Sequence, residues 1–396
     1  MTTFGALSLP DEWRELRAAD VLYVCHDVDR TFPLGSVAYA PIVDSIQDLL
    51  AAEGLQGLTV ATPYSLMTGS RAYGEVRSFN RAFALGAAWA LAPGASRRLV
   101  VRTWERILRA VQPKGVIAIQ PSRDLCEACS RLAIWVADAQ HGWIPSDEIA
   151  GEPYYSRNYW RSGPDEPFPD YFLVWDEASA ANLRKLFTPT AVTALCIGNV
   201  WCDRFARRDP LDAIVQQVPV HHAEAPRIVV TLQWKTVTIH DSLPASLRQV
   251  IQSTCSKYEW IIRLHPCETD SREIASVREA LNAACHEHGG RVEWQRPTDQ
   301  PLPAVLSRAN VHITYNSSSA LEASYFKVMT GFLDRRTAIL NSGMSHLFAQ
   351  HRAEQLPETA SEIERWLERQ VVAPRQGDAA GGASPAVAVL ASLFSL

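Results

Sequence analysis

The stretch YEWIIRLHPCETD, Tyr258 to Asp270, carries an apolar run from Trp260 to Leu264 that stops abruptly at Arg263-Leu264-His265-Pro266. Short apolar runs of this kind, bounded by a proline, read as strands buried on both faces, the pattern of a parallel sheet. The ending has two readings. Pro266 simply stops the strand and His265 caps it, or the C-terminal edge of a parallel sheet is equipped to hold an anion.

Working outward, PRIVVTLQW precedes this strand and RVEWQRP and NVHITYNSSS follow it, with the helical patterns SLPASLRQVIQSTC and DSREIASVREALNAACHEHGG between them. VMTGFLD is a further strand, ETASEIERWLERQVV a late helix, and AVAVLASLFSL an apolar ending that either folds back as a helix or trails as a tail. The first half alternates in the same way. ADVLYVCHD, GLTVATPYS, GVIAIQPS and PDYFLVWDE read as strands, SRRLVVRTWERILRAVQPKG as a helix, and AVTALCIGNVWCDRF as a strand closing the half. Alternation of this sort argues for βαβ units. Between Arg204 and Ala225 the pattern lapses into a polar, proline-containing stretch that reads as a linker. The expected fold is therefore α/β: two Rossmann-like parallel-sheet domains facing each other across a cleft. The boundaries expected are 1–205, a linker at 206–225, 226–372, and a C-terminal loop and apolar tail at 373–396.

The bulk properties agree with this division. A chain of 396 residues is long for one core, and two domains of roughly 200 residues are the natural expectation. A hydrophobic content of 47%, a charged content of 20% and a net charge of -5 describe a packed protein with no general attraction to nucleic acid or anionic membrane. The N-terminus has neither a basic segment nor an apolar h-region, so no signal peptide is read and a cytoplasmic location is expected. The spacing Cys126-Glu-Ala-Cys129 suits a metal or a redox pair, but no second pair follows and the surroundings read as helix, so packing is expected.

The strand ends of the second half are Gln233-Trp234-Lys235, Arg263-Leu264-His265-Pro266, Gln295-Arg296-Pro297 and Tyr315-Asn316-Ser317-Ser318-Ser319. Lys235, Arg263 and His265, with Asn316 and the hydroxyls and N–H groups of Ser317, Ser318 and Ser319, describe a phosphate pocket without a glycine-rich loop. Taken singly, a run of serines is an ordinary helix cap. Glu322, one turn into the following helix, is placed either to reach ribose hydroxyls or to make an ordinary salt bridge. In the first half, CHDVDRTF supplies His26, Asp27 and Asp29, and DAQHGW supplies His141. These residue types serve as general bases or nucleophiles. Asp27-Val-Asp29 also has the form of a metal-chelating Asp-x-Asp, a short match that arises by chance and lies in the half without the phosphate pocket. No metal site and no cofactor are expected. Tyr155, Tyr159 and Trp160, in an aromatic-rich loop, either stack on sugar rings or cover a sheet edge. The absence of G-x-G-x-x-G and G-K-[ST] argues against dehydrogenases and P-loop enzymes.

Two such halves resemble the GT-B glycosyltransferases. QHGW, PDYFLVWDE and IGNVWCDRF, between Gln140 and Phe205, resemble motifs of bacterial surface-polysaccharide transferases, and RLHP with NSSSALE resembles the His-Pro and Ser-Ser motifs of transferases using CMP-activated Kdo or sialic acid. Similar motifs occur in teichoic-acid polymerases that use CDP-glycerol. The resemblance implies a metal-independent glycosyltransferase of lipopolysaccharide or capsule assembly. Its partners would be a nucleotide sugar, CMP-linked by preference, and an oligosaccharide or lipid-linked glycan acceptor, with no nucleic acid and with association at the inner face of the cytoplasmic membrane left open. It also implies that His265, Pro266, Ser317 and Ser318 contact the phosphate and cytidine side. The family's acidic motif is not found in the first half, so the base or nucleophile is drawn from Asp27, Asp29 and His141, in that order. The alternatives are a UDP- or GDP-sugar transferase, an epimerase, a CDP-alditol phosphotransferase, and a non-catalytic subunit of a polysaccharide synthase.

Overall fold

The computed structural model of the chain describes residues 11–26, 29–30, 32–62, 73–83, 93–144, 167–187, 193–209, 212–216, 225–233, 238–265, 271–296, 299–335, 344–372 and 385–394. The α/β architecture with two Rossmann-like parallel sheets is observed. One compact unit comprises Met1–Trp201 with Ala383–Leu396, the other Cys202–Gly382.

The first unit runs β1 (Val21–His26), a hairpin of β2 (Phe32–Leu34) and β3 (Val37–Tyr39), α1 (Val43–Ala52), β4 (Gly57–Thr62), β5 (Val76–Ser78), α2 (Pro93–Val111), β6 (Gly115–Ala118), α3 (Arg123–Arg131), β7 (Trp135–Ala139), β8 (Tyr171–Val174), α4 (Glu177–Leu186) and β9 (Thr193–Cys196). Its sheet is parallel, in the order β5-β4-β1-β6-β7-β8-β9. Alternate residues of β1 feed two cores, as the period of a strand requires. Leu22 and Val24 pack with Trp104, Ile107 and Leu108 of α2 and with Leu125, Cys126 and Cys129 of α3. Val21, Tyr23 and Cys25 pack with Val43, Ile46 and Leu50 of α1. Burying each large side chain stabilises by about 1.5–3 kcal/mol, so the continuous apolar run of β1 is the centre of the unit. The Cys126 and Cys129 thiols are buried and pushed up by desolvation, the packing role expected of them.

Two segments differ from the sequence reading. The stretch read as one closing strand ends at Cys196, turns at Gly198, whose φ of +75° only glycine adopts without strain, and becomes the helix α5 (Val200–Arg207). Its buried Val200, Trp201, Cys202 and Phe205 supply the apolar residues that had suggested a strand. The C-terminal segment contains a helix, Pro385–Ser392, whose Ala386 and Leu390, with Leu393 beyond it, are buried on the β1–α1 side of the first unit.

In the second unit the stretch read as a linker holds α6 (Ala213–Gln216). There follow β10 (Arg227–Thr231), α7 (Ile239–Ser242), α8 (Ala245–Thr254), β11 (Glu259–Arg263), α9 (Arg272–Glu287), β12 (Val292–Gln295), α10 (Leu302–Leu306), β13 (Val311–Thr314), α11 (Ser319–Tyr325), β14 (Met329–Phe332), α12 (Ser345–Ala349), β15 (Ala353–Gln355) and α13 (Ala360–Val372). The sheet is again parallel, in the order β12-β11-β10-β13-β14-β15. Ile228 and Val230 of β10 bury against α8, α9 and α13, and Val229 against α10 and α11. Among the described residues no helix is long and apolar enough to cross a membrane.

Candidate functional site

In both sheets the strand order reverses beside the first strand of the unit, between β1 and β6 and between β10 and β13. The carboxyl ends of the strands at such a reversal form the crevice in which open parallel sheets hold ligands.

In the second unit that crevice is built from hydroxyls and amides. The Gln233 side chain donates from Nε2 to the Asn316 carbonyl and accepts the Asn316 N–H on Oε1, both at 2.9 Å, so it clasps the ends of β10 and β13 together. Asn316 Nδ2 reaches Asp334 at 3.4 Å, while Asn316 Oδ1 is buried without a hydrogen-bond partner among the described residues. The three serines divide their work. Ser317 Oγ accepts the Ser319 N–H, and Ser318 occupies the N-cap of α11 without a side-chain capping bond. The Ser319 hydroxyl is buried, bonded to Thr231 Oγ1 at 2.9 Å. Thr231 also meets His312 Nε2 at 3.0 Å, and His312 Nδ1 meets Thr330 at 3.0 Å. Burial pulls His312 down to about 3, so it is a neutral bolt across β10, β13 and β14.

Arg263 and His265, at the end of β11, are separated from β13 by β10, which puts the two edges about 10 Å apart. The Arg263 guanidinium is buried and donates from Nη1 to Gln295 Oε1 at 2.9 Å and to the Gln300 carbonyl at 2.8 Å. Burial lowers it to about 10, with Glu322 opposing, so it stays a cation at neutral pH. His265 is half-buried and its imidazole is pulled down by desolvation, which makes it a neutral donor rather than a charge at pH 7. Glu322 is pushed up to about 7 by burial against the attraction of Arg263, and Cys202 Sγ lies 4.0 Å from its Oε1. Tyr325, at the far end of the same short helix, donates to Asp203 at 2.5 Å. Asp203 belongs to the IGNVWCDRF motif and lies in α5.

In the first unit the crevice is built from titratable groups. His26 ends β1, with its Nδ1 2.8 Å from Thr62 Oγ1 at the end of β4. The Asp29 carboxylate accepts the His26 backbone N–H at 2.8 Å. His141 Nε2 lies 2.7 Å from Gln120 Nε2, and burial, with repulsion from His26, pulls His141 down to about 4. Gln120 holds a φ of +52°, and its N–H donates to the buried Asp138, which desolvation pushes up to about 7. A non-glycine residue in this conformation is held there by its surroundings.

The motif residues around His141 act as its frame. Gln140 is buried, accepts the Trp175 N–H at 2.7 Å, and donates to the Gly142 carbonyl at 2.8 Å and Ser179 Oγ at 3.2 Å. Asp170 accepts the Val136 N–H at 2.8 Å, and Asp176 caps α4 through the Ser179 N–H at 2.7 Å. Beneath the crevice, Arg30 and Asp44 form a buried bidentate pair at 2.9 and 3.2 Å, which fastens the hairpin to α1.

The structure thus brings Asp29 and His141 to one edge, and Arg263, His265, Asn316, Ser317, Ser318 and Glu322 to or beside the other, with Ser319 sunk beneath it. Asp27, Tyr155, Tyr159, Trp160, Lys235 and Pro266 lie outside the described residues. Thr62, Gln120 and His312 were not singled out from sequence. A Gln or Thr following an apolar run is unremarkable until the sheet order places it at the reversal.

No family model and no curated protein matches the chain. Among solved structures it is similar to the UDP-GlcNAc 2-epimerase from Methanocaldococcus jannaschii (12% identity, 95% of this chain, 99% of that one, TM-score 0.59). It is similar also to the UDP-GlcNAc 2-epimerase from Neisseria meningitidis bound to UDP-GlcNAc (11% identity, 95% and 100%, TM-score 0.59). A third neighbour is the wall teichoic acid polymerase TagF soaked with CDPG (12% identity, 99% and 92%, TM-score 0.54). At these identities the likeness is one of fold, and the fold is of the GT-B type.

Proposed function

We propose that this chain is a metal-independent glycosyltransferase that uses a nucleotide sugar, CMP-linked by preference, in the assembly of a bacterial surface glycan. The observation that carries the reading is the strand reversal of the second unit. There the Gln233–Asn316 clasp leaves a buried acceptor on Asn316 and an uncapped Ser318 hydroxyl beside the first turn of α11. Arg263, a buried cation, supplies a positive field from the neighbouring strand end, and His265 a neutral donor. The Ser318 hydroxyl, Arg263 and His265 suit the phosphate of a nucleotide, whose negative charge grows as the sugar departs, while the Asn316 acceptor suits a hydroxyl or N–H donor of the nucleoside. Lys235 and Pro266 complete the clamp by their place in the sequence. Glu322 is poised near neutrality for the ribose hydroxyls. The first unit supplies the acceptor side, with the proton acceptor drawn from the edge that holds Asp29 and His141, and Tyr155, Tyr159 and Trp160 stacking on sugar. Fold neighbours carrying UDP-GlcNAc, UDP and CDPG support a nucleotide-sugar ligand.

A second reading, an epimerase acting on a UDP-sugar, is favoured by the three epimerase structures at TM-score 0.59. Thermal unfolding against CMP, CDP, UDP, GDP and dTDP, with and without Mg²⁺, tests both. A nucleotide at ~100 times its dissociation constant stabilises by about 2.7 kcal/mol. The expected result is a metal-indifferent shift with CMP that His265→Ala abolishes while leaving the unliganded melting temperature in place. A shift with UDP, followed by isomerisation of a UDP-sugar without any acceptor, would establish the epimerase instead. No shift with any nucleotide would end both.

A further inference from the structure

The helix α2 carries a charge that the chain as a whole does not share. It holds five arginines and one glutamate, a net charge of +4 in a chain whose net charge is -5. Burial sorts the helix into two sides. Val101, Trp104, Ile107, Leu108 and Val111 are buried in the core beneath it. Arg98, Arg102, Arg106 and Arg109 are exposed. Spacings of four, four and three residues keep these arginines on one side of the helix, in a stripe about 16 Å long. The acids nearby are engaged elsewhere as well. Glu105, the one acid of α2, pairs with Arg131 at 3.0 Å as well as with Arg109 at 3.2 Å. Asp124 and Glu127 of α3 pair with Arg97 at 3.5 and 2.9 Å. Arg106 lies over the Trp13 ring, 4.0 Å from its centroid. Between Arg98 and Arg102 the helix presents Leu99, 39% exposed and one of two exposed large hydrophobic residues among the described residues.

We propose that this face of α2 docks on an anionic lipid surface, with its guanidinium groups on the lipid phosphates and Leu99 entering the boundary between headgroups and acyl chains. Arginine suits the task, because its fixed positive charge and forked donors match phosphate oxygens. A row of like charges repels a second copy of itself, so the stripe is not an interface between two of these chains. Nucleic acid would take the arginines but offers an exposed leucine no apolar medium to enter, which favours lipid. The placement gives the docking a use. In a βαβ unit the helix runs back against its strands, so the Arg98 end of α2 lies toward the carboxyl edge that holds His26 and His141. A lipid surface bound there brings any substrate it carries beside that edge. The docking itself does not depend on which reaction the edge performs.

The test is co-sedimentation of the full chain with vesicles of phosphatidylcholine alone and of phosphatidylcholine mixed with phosphatidylglycerol. The expected result is binding to the mixed vesicles only, weakening as salt is raised. Arg98→Gln combined with Arg102→Gln should weaken it on the order of 10-fold, and Arg98→Lys combined with Arg102→Lys should retain it. Leu99→Asn should weaken it at unchanged charge. These side chains are exposed, so every variant should keep the wild-type melting temperature and the thermal shift with nucleotide. Equal binding to both kinds of vesicle, or mixed-vesicle binding that the glutamine pair or Leu99→Asn leaves intact, overturns the assignment. Retention on heparin with no binding to either vesicle overturns it too, and makes the stripe a site for a soluble polyanion. The nucleotide shift reads the proposed activity separately, so failure of the docking and failure of that reading are told apart.

Discussion

The two sheets reverse their strand order at equivalent places, yet the residues at the reversals differ in kind. In the first unit the edge carries His26 and His141, with Asp138 just beneath, groups that gain or lose protons. In the second unit the β10–β13 reversal carries Gln233, Asn316, Ser317 and Ser318, which do not titrate near neutral pH, and His312 is sunk there as a structural bolt, with His265 and the raised carboxyl of Glu322 beside it. One architecture therefore presents histidines at one reversal and amides and hydroxyls at the other. The difference comes from a few residues after each strand. The strands themselves, apolar and buried, are interchangeable in character.

The largest effect that would break this comparison lies under the first edge. Arg30 and Asp44 are both buried, and Asp44 is pushed up to about 6 by desolvation despite its partner, which says how costly the bare carboxylate is there. Arg30→Ala leaves that charge unpaired and should destabilise the protein by about 3–5 kcal/mol. The loss should appear in urea unfolding, and Asp44→Asn on the same background should recover part of it. If Arg30→Ala costs under about 1 kcal/mol, the edge is not anchored by this pair.

A smaller effect separates the two kinds of histidine. His312, pulled down from 6.5 to about 3, stays neutral in the folded chain while the unfolded chain takes up its proton as pH falls below 6.5. Its contribution is therefore present above pH 6.5 and lost on acidification, by about 1.4 kcal/mol per pH unit. Glu322, raised from 4.5 to about 7, acts in the opposite sense, because its folded form binds the proton first as pH falls from 7. The two nearly cancel in the wild type between pH 6.5 and 4.5. The stability deficit of His312→Gln relative to wild type should accordingly shrink as pH falls from 6.5 to 5, read from hydrogen exchange of the β10 and β13 amides. A deficit independent of pH would mean that His312 titrates normally.

These examples show what was legible in advance. The strand expected over Trp260–Leu264 is observed at Glu259–Arg263, because an apolar run closed by His-Pro has one reading once its neighbours alternate with helices. The hairpin of β2 and β3, and the polar edge strand β15, have only three residues each, too few to show a period. At the candidate site the sequence exposes His26, Asp29 and His141 as residue types but not their neighbours. His26 Nδ1 lies 2.8 Å from Thr62 Oγ1, which sits 36 positions away and becomes its neighbour only through the β1–β4 pairing. Likewise SSS reads as one cap, while the structure splits it into a helix-start acceptor, an uncapped hydroxyl and a core hydrogen bond.

The finest test of the second edge is its clasp. Gln233→Ala removes both bonds to the Asn316 backbone, and since the site is only partly buried the remaining groups are reached by water. The stability loss should be about 1 kcal/mol, near the net worth of a hydrogen bond. Its effect on a nucleotide ligand should be larger than that, because the clasp fixes where Asn316 and Ser317 stand at the reversal, and a site loosened by an ångström loses orientation before it loses fold. A thermal shift with nucleotide that falls in Gln233→Ala while the unliganded melting point barely moves would mark the second edge as a preformed binding surface. A shift that survives intact would move the ligand away from the β10–β13 reversal and leave the clasp as a splint between two strands.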